Sequence, residues 1–204
     1  MTKVKICGLK RKEDILTVNM LLPDYIGFVF AKSKRQVTLE EVDYLKSFLD
    51  PHIQAAGVFV NAPLDVITSL CSSAVIDMIQ LHGDEDAEYA NELRSRVHQP
   101  IVKAVRVETQ EQIFKMQNFP CEYLLLDTFT KDQYGGSGHL FDHGLVPEME
   151  KPFFLAGGLT ADNVQGCIKK CRPYAVDVSS AVESDGQKDS KKIKEFIERV
   201  KNYE

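Results

Sequence analysis

The chain repeats one alternation eight times: a short apolar run rich in β-branched residues, then an amphipathic stretch bordered by turn signals. The runs are VKICGL (4–9), YIGFVF (25–30), AAGVFV (55–60), DMIQLHG (77–83), IVKAVRV (101–107), YLLLDT (123–128), FFLAGG (153–158) and YAVDVSS (174–180). Most are apolar at nearly every position, without alternation, which is the pattern of strands buried on both faces of a parallel sheet. The stretches between them carry helical signals. TLEEVDYLKSFL opens with a capping box, Thr38 with Glu41, and repeats apolar residues at Leu39, Val42 and Leu45. Val66, Ile67, Leu70 and Cys71 form a second stripe, and Ile193, Phe196, Ile197 and Val200 a third. Asn61 and Thr160 follow strands and are expected to cap the next helices. No linker or charge block interrupts the rhythm. Eight strand–helix units in 204 residues predict a single (β/α)₈ barrel of the TIM type over residues 1–204, near the lower length limit of that fold. A doubly wound open sheet is the alternative, but it usually has fewer strands at this length.

The remaining bulk properties narrow the partners. A hydrophobic content of 44% with 27% charged residues is that of a soluble globular chain, and no apolar run is long enough to span a bilayer. The start, MTKVKICGLKRKED, lacks the apolar stretch of a signal peptide. A net charge of -5 gives no support for nucleic-acid binding, so an anionic ligand has to be attracted by local features. The five cysteines, Cys7, Cys71, Cys121, Cys167 and Cys171, are odd in number and scattered, which predicts reduced thiols in a cytoplasmic protein. Cys167 and Cys171 share a helix face, but no second ligand pair follows them, and no metal is expected.

In a barrel of this kind the chemistry sits at the C-terminal ends of the strands. Run one delivers Cys7 and Gly8 there, and the loop after run two delivers Lys32, Lys34 and Arg35. Three cations in one loop are usually a solvated face, but at a barrel mouth an arginine fork can recognise a carboxylate. His82 and Gly83 close run four, and Asp127 and Thr128 close run six. The loop FTKDQYGGSGH that follows, with Lys131, suits a lid over an anion, or is simply a long surface loop. Run seven ends in Gly157 and Gly158, and run eight in Asp177, Ser179, Ser180 and Ala181. Glycine amides, hydroxyls and helix starts at the ends of strands seven and eight are where barrels hold a phosphate, and the reading is phosphate rather than two ordinary turns.

VKICGL, GFVF with SKR, GVFVN, IQLHG, LLDT with YGGSG, LAGGL with NV, and AVDVSSAVE occur in the order and near the spacing of the phosphoribosylanthranilate isomerases, which the chain resembles over essentially its whole length. The resemblance implies a cofactor-independent Amadori rearrangement of N-(5-phosphoribosyl)anthranilate in tryptophan biosynthesis, with Cys7 as general base and Asp127 as general acid. It implies that Arg35 binds the anthranilate carboxylate and that amides around Gly158, Ser180 and Ala181 bind phosphate, while His82 and Asp177 line the pocket. The implied partner is this small phosphosugar–anthranilate substrate, with no nucleic acid and no membrane, and the protein is a monomer or homodimer. A base acting through its thiolate is expected to sit partly exposed and biased towards ionisation. The family pattern reads VSSG where this chain has Ser179, Ser180 and Ala181; alanine keeps the amide but resists positive φ. Gln187 replaces a frequent lysine outside the proposed chemistry. Another phosphosugar isomerase on this barrel explains the phosphate site but not the Cys7 and Asp127 pair. A lyase is expected to use a strand-end lysine, and Lys103 lies mid-strand. A non-catalytic phosphosugar-binding protein predicts affinity without turnover.

Overall fold

Each apolar run becomes a strand, and each amphipathic interval with a visible stripe becomes a helix. A computed structural model of the chain describes residues 1–128 and 143–203. In chain order the elements are β1 (Lys3–Cys7), α1 (Lys12–Leu21), β2 (Tyr25–Val29), α2 (Leu39–Lys46), β3 (Gln54–Phe59), α3 (Leu64–Ser72), β4 (Met78–Leu81), α4 (Ala87–Arg96) and β5 (Ile101–Val107). Then come α5 (Gln110–Met116), β6 (Tyr123–Thr128), β7 (Phe153–Leu155), α6 (Val164–Cys171), β8 (Ala175–Val178), a two-stranded hairpin of β9 (Glu183–Ser184) and β10 (Gln187–Lys188), and α7 (Ser190–Lys201). The first eight strands are parallel and close into a barrel in sequence order, β1 pairing with both β2 and β8, so the open-sheet alternative is ruled out.

Two cores follow from the period-two geometry of strands inside a shell of helices. The main core lies between strands and helices and includes Ile6, Phe28, Leu81, Leu124 and Leu155 with the helix stripes Val42 and Leu45, Ile67 and Leu70, and Ile193, Phe196 and Ile197. A second cluster fills the barrel itself with Tyr25, Ala56, Met78, Val102, Ala104, Leu125, Phe154, Ala156 and Ala175. At the N-terminal end of the barrel Tyr25, Tyr123, Phe154 and Tyr174 pack ring against ring, and the Lys3 ammonium lies 5.1 Å from the Tyr174 ring centre. That end is plugged. Moving up two residues from Tyr25, Met78, Leu125 and Ala175 brings Gly27, Gln80, Asp127 and Asp177 onto the same inner face, at the open end.

The helix starts show where local sequence decides. Thr38 Oγ1 accepts from the Glu41 amide and Glu41 accepts from the Thr38 amide, the reciprocal box expected. The cap expected at Asn61 is not there. Pro63 precedes α3, and Asn61 instead sits at φ 50° with its side chain accepting from the Asp84 amide at 2.8 Å. It braces a neighbouring loop because asparagine tolerates the left-handed region. Thr160 likewise does not cap α6, which starts later, after Asn163. Thr160 and Asn163 form a turn before the helix, with the Thr160 amide donating to Asn163 Oδ1 at 2.8 Å.

Candidate functional site

Cys7 is the last residue of β1, and two glycines make its position possible. Gly8 turns the chain at φ 85°, and its amide donates to the Gly27 carbonyl at 2.8 Å. Gly27 stands beside Cys7 in register, and a Cβ there would lie 2.6 Å from Cys7 Sγ. A glycine inside the otherwise bulky YIGFVF run is the sequence signal of such a close approach.

The thiol is enclosed by charge. On its own strand, two residues earlier on the same face, Lys5 is almost wholly buried, with Nζ 2.8 Å from Asp177 Oδ2 across the β1–β8 seam. Burial pushes the Cys7 thiol up, Lys5 pulls it down, Asp177 pushes it up and Lys188 pulls it down; burial prevails and the thiol lies above its ordinary value. Cys7 is also 8% exposed. The expectation of a partly exposed thiol already biased towards thiolate is therefore corrected: the strand end lies inside the barrel mouth, where desolvation disfavours the anion. Among the other cysteines, Cys71, Cys121 and Cys167 are buried and Cys171 is half-buried, with Cys71 on α3 and Cys167 and Cys171 on α6.

Across the barrel, Asp127 ends a chain of three polar side chains. Gln80 Nε2 lies 2.8 Å from His82 Nδ1, and His82 Nε2 lies 3.2 Å from Asp127 Oδ2. Gln80 and Asp127 thus hold the two ring nitrogens of His82 from opposite sides. The second oxygen of Asp127 accepts from the Thr128 amide at 2.8 Å. Gly157, at φ 79°, passes so close that a Cβ there would come within 2.9 Å of Asp127 Oδ1. Gln80 Oε1 and Asp177 Oδ1 are buried with no hydrogen-bond partner among the described residues.

The ends of β7 and β8 are turns whose residues Gly157, Gly158, Ser179, Ser180 and Ala181 are half-buried. Gly157 and Gly158 both have positive φ, and the Asn163 Nδ2 donates to the Gly158 carbonyl at 2.9 Å, fixing the turn. After β8, Ser180–Val182 form a single 3-10 turn, and Ala181 is not among the residues with positive φ. Replacing glycine by alanine there carries no backbone strain, so the Ala181 amide is in an ordinary conformation. Ser179 Oγ donates to the Cys7 carbonyl at 3.0 Å, tying β8 to the base of the Cys7 turn.

Arg35 reaches over Gly8 to Glu183. Its Nε and Nη2 donate to the two Glu183 oxygens at 2.7 and 2.8 Å, and Lys188 Nζ donates to Glu183 Oε1 at 2.7 Å. Burial raises the Glu183 carboxyl, but Arg35 and Lys188 outweigh it and hold it at about 2. The pairing uses two of the five N–H donors that a guanidinium carries. Lys32 and Lys34 of the same loop are exposed. The anion lid read in the loop carrying Lys131 lies outside the described residues.

Of the ten residues read from sequence as site residues, the structure brings Cys7, His82, Asp127 and Asp177 onto the inner face and sets Gly157, Gly158, Ser179, Ser180, Ala181 and Arg35 around the rim. Lys5, Gln80, Gly27, Glu183 and Lys188 were not singled out. For Lys5 and Gln80 the available signal is a polar residue within a doubly buried strand. Lys103 faces outward, its ammonium 2.7 Å from Glu85 and 2.8 Å from the Gly83 carbonyl, so it does not enter the mouth.

Comparison with known proteins adds a separate line. The family model described as N-(5'-phosphoribosyl)anthranilate (PRA) isomerase matches residues 4–199. The N-(5'-phosphoribosyl)anthranilate isomerase of Endomicrobium trichonymphae is 46% identical over 202 residues, covering 99% of this chain and 100% of that one. Monomers of the dimeric phosphoribosylanthranilate isomerase from Thermotoga maritima superpose with a TM-score of 0.85 at 35% identity, covering 99% and 100% of the two chains. A phosphoribosylanthranilate isomerase in complex with reduced 1-(o-carboxyphenylamino)-1-deoxyribulose 5-phosphate superposes with a TM-score of 0.82 at 34% identity, again covering 99% and 100%.

Proposed function

The chain belongs to the N-(5'-phosphoribosyl)anthranilate isomerase family, and on that premise we propose how its own residues carry the reaction. The enzyme converts N-(5-phosphoribosyl)anthranilate to 1-(2-carboxyphenylamino)-1-deoxyribulose 5-phosphate, a step of tryptophan biosynthesis. The rearrangement moves hydrogen from C2 to C1 of one sugar, so proton transfers alone balance it. In our reading Asp127, protonated, gives its proton to the ring oxygen as the C1–O bond breaks, and the nitrogen lone pair forms the iminium. The Cys7 thiolate then takes the C2 proton, and the C–H electron pair flows to nitrogen, leaving an enolamine. Tautomerisation delivers a proton to C1 and releases one from the C2 hydroxyl. General acid and base help of this kind is typically worth about 10²–10⁴-fold each.

The observation that carries the reading is the placement of Cys7 and Asp127 on strands β1 and β6 of one closed barrel, both turned inward at its open end. The amide turns after β7 and β8 supply the phosphate site, with Gly157, Gly158, Ser179, Ser180 and Ala181. Arg35, its plane fixed by Glu183, offers its remaining donors to the substrate carboxylate. His82 orients Asp127, and Asp177 borders the sugar. The partner is this small molecule, in a cytoplasmic monomer or homodimer that needs no cofactor. Among the described residues no helix is long and apolar enough to cross a membrane. The test is the loss of anthranilate-type fluorescence when purified protein meets freshly made substrate in excess chelator. Turnover is the expected result; binding without turnover overturns the mechanism, and turnover abolished by chelator and restored by a metal overturns its cofactor independence.

A further inference from the structure

We propose that Lys5 is a positioning residue for proton abstraction: anchored by Asp177, its ammonium lies below Cys7 and supplies the counter-charge as the thiol ionises. This rests on the reading of Cys7 as base.

The placement is specific. Lys5 and Cys7 are two apart on β1, so both face the barrel interior. Lys5 stands in register with Asp177 on one side and Tyr25 on the other, with its ammonium 2.8 Å from Asp177 Oδ2. With both side chains on one inner face of β1, the Lys5 ammonium pulls the Cys7 thiol down.

Stability alone does not explain the pair. An apolar residue of similar volume usually serves a buried position as well as or better than an ion pair. The inner cluster of this barrel includes Ala56, Ala104, Leu125 and Phe154, so its interior accepts apolar packing. Here the pair also leaves Asp177 Oδ1 buried without a partner among the described residues. An arrangement poor for stability and placed beside the thiol is what a functional charge looks like.

The other charges facing the thiol are less suited to the task. Lys188, on β10, is committed to Glu183 at 2.7 Å and to the Ser179 carbonyl at 2.9 Å. Arg35, in the loop after β2, is bonded through two nitrogens to the same Glu183. Asp177, on β8, opposes thiolate formation. Asp127 on β6 and His82 directly after β4 act on Asp177 from across the barrel. Lys5 is the cation whose anchoring partner, Asp177, stands in register with it on the inner face.

The experiment measures Cys7 alkylation by iodoacetamide, resolved by peptide mapping, across roughly pH 6 to 10. The readout is the pH midpoint, which steric access to the thiol does not move. Wild type is compared with Asp177→Asn and with Lys5→Met/Asp177→Asn. The double variant leaves no orphaned buried charge, so it avoids the folding penalty expected of Lys5→Met alone. Asp177→Asn should move the midpoint down, because the opposing carboxylate is gone and the buried ammonium is left with the Cys7 thiolate as its counter-ion. Adding Lys5→Met should move it back up by about one pH unit, or about tenfold slower labelling near neutrality. The pH profile of kcat/KM in wild type should follow the labelling midpoint. A merely structural role predicts no opposite-signed shift. Coincident midpoints in the single and double variants overturn the proposal while leaving the base reading intact. Undiminished turnover by Cys7→Ala overturns the base reading, and with it the catalytic meaning of any shift that Lys5 produces.

Discussion

On the proposed mechanism Cys7 is a buried thiol that has to become an anion, and at the residue scale that conflict sets the predictions. Because burial holds its pKa above the ordinary thiol value, Cys7 in the folded protein should alkylate more slowly at neutral pH than the same thiol in urea; faster labelling would show that Lys5 and Lys188 already prevail over desolvation. Cys7→Ser keeps the shape and removes the accessible anion. It should lower kcat by about 10²–10⁴-fold with an unchanged circular dichroism spectrum, and near-normal kcat would take Cys7 out of the reaction. Asp127→Asn should also act on kcat, with KM within about tenfold, because the amide accepts from Thr128 as before but has no acid proton to give. Cys7, Asp127 and Arg35 stand out as candidates in the sequence because each ends or follows a run with a chemistry that packing does not require, and the structure places all three at the barrel mouth. Lys5, Gln80 and Gly27 are not legible in the same way. In strands buried on both faces there is no alternation to tell which side chains enter the barrel, so a lysine two residues before Cys7 reads equally as a residue of the outer layer, which is where Lys103 lies.

At the scale of elements the strands are legible to within a few residues, since eight apolar runs bounded by turn residues have few other ways to be buried. The helix starts are less so. Thr38 with Glu41 works because the whole box is written in four adjacent residues, whereas Asn61 and Thr160 bond to partners that only the folded loops bring near. Asn163 shows the consequence. Its side chain donates to the Gly158 carbonyl and accepts from the Thr160 amide at 2.9 and 2.8 Å, joining the glycine turn after β7 to the start of α6. Asn163→Ala removes both bonds. The expected loss is about 1–2 kcal/mol of stability, seen as a lower urea midpoint, together with weaker binding of inorganic phosphate as a competitive inhibitor. If stability falls but phosphate inhibition is unchanged, the turn after β7 is not part of the phosphate site.

The whole barrel is closed by β1 meeting β8, and the charges at its mouth add a second closure above that seam. Arg35 comes from the loop after β2, Glu183 from β9 and Lys188 from β10, so this triad ties the rim on both sides of Cys7. The tie has a definite pH dependence. Glu183 is held at about 2 in the folded protein against an ordinary value of 4.5. A carboxylate depressed on folding contributes stability that is present above its unfolded pKa and is lost as pH falls through its folded one. The contribution of Glu183 is therefore complete above about pH 4.5 and fades between there and about 2. Asp177 is pushed the other way by burial, so the bare acid limb mixes the two, and the informative quantity is the difference between wild type and Glu183→Gln. That difference, measured by urea unfolding at a series of pH values, should be largest at neutral pH and shrink steadily as pH drops from about 4.5 towards 2. A difference independent of pH would mean that Glu183 closes the rim by shape and hydrogen bonding, with its charge contributing nothing. If Arg35 binds the substrate carboxylate as proposed, Glu183→Gln should also raise KM, because the Arg35 plane is then less firmly set. A variant that loses the acid-dependent stability yet keeps its KM would separate the closure of the barrel from the reading of the substrate.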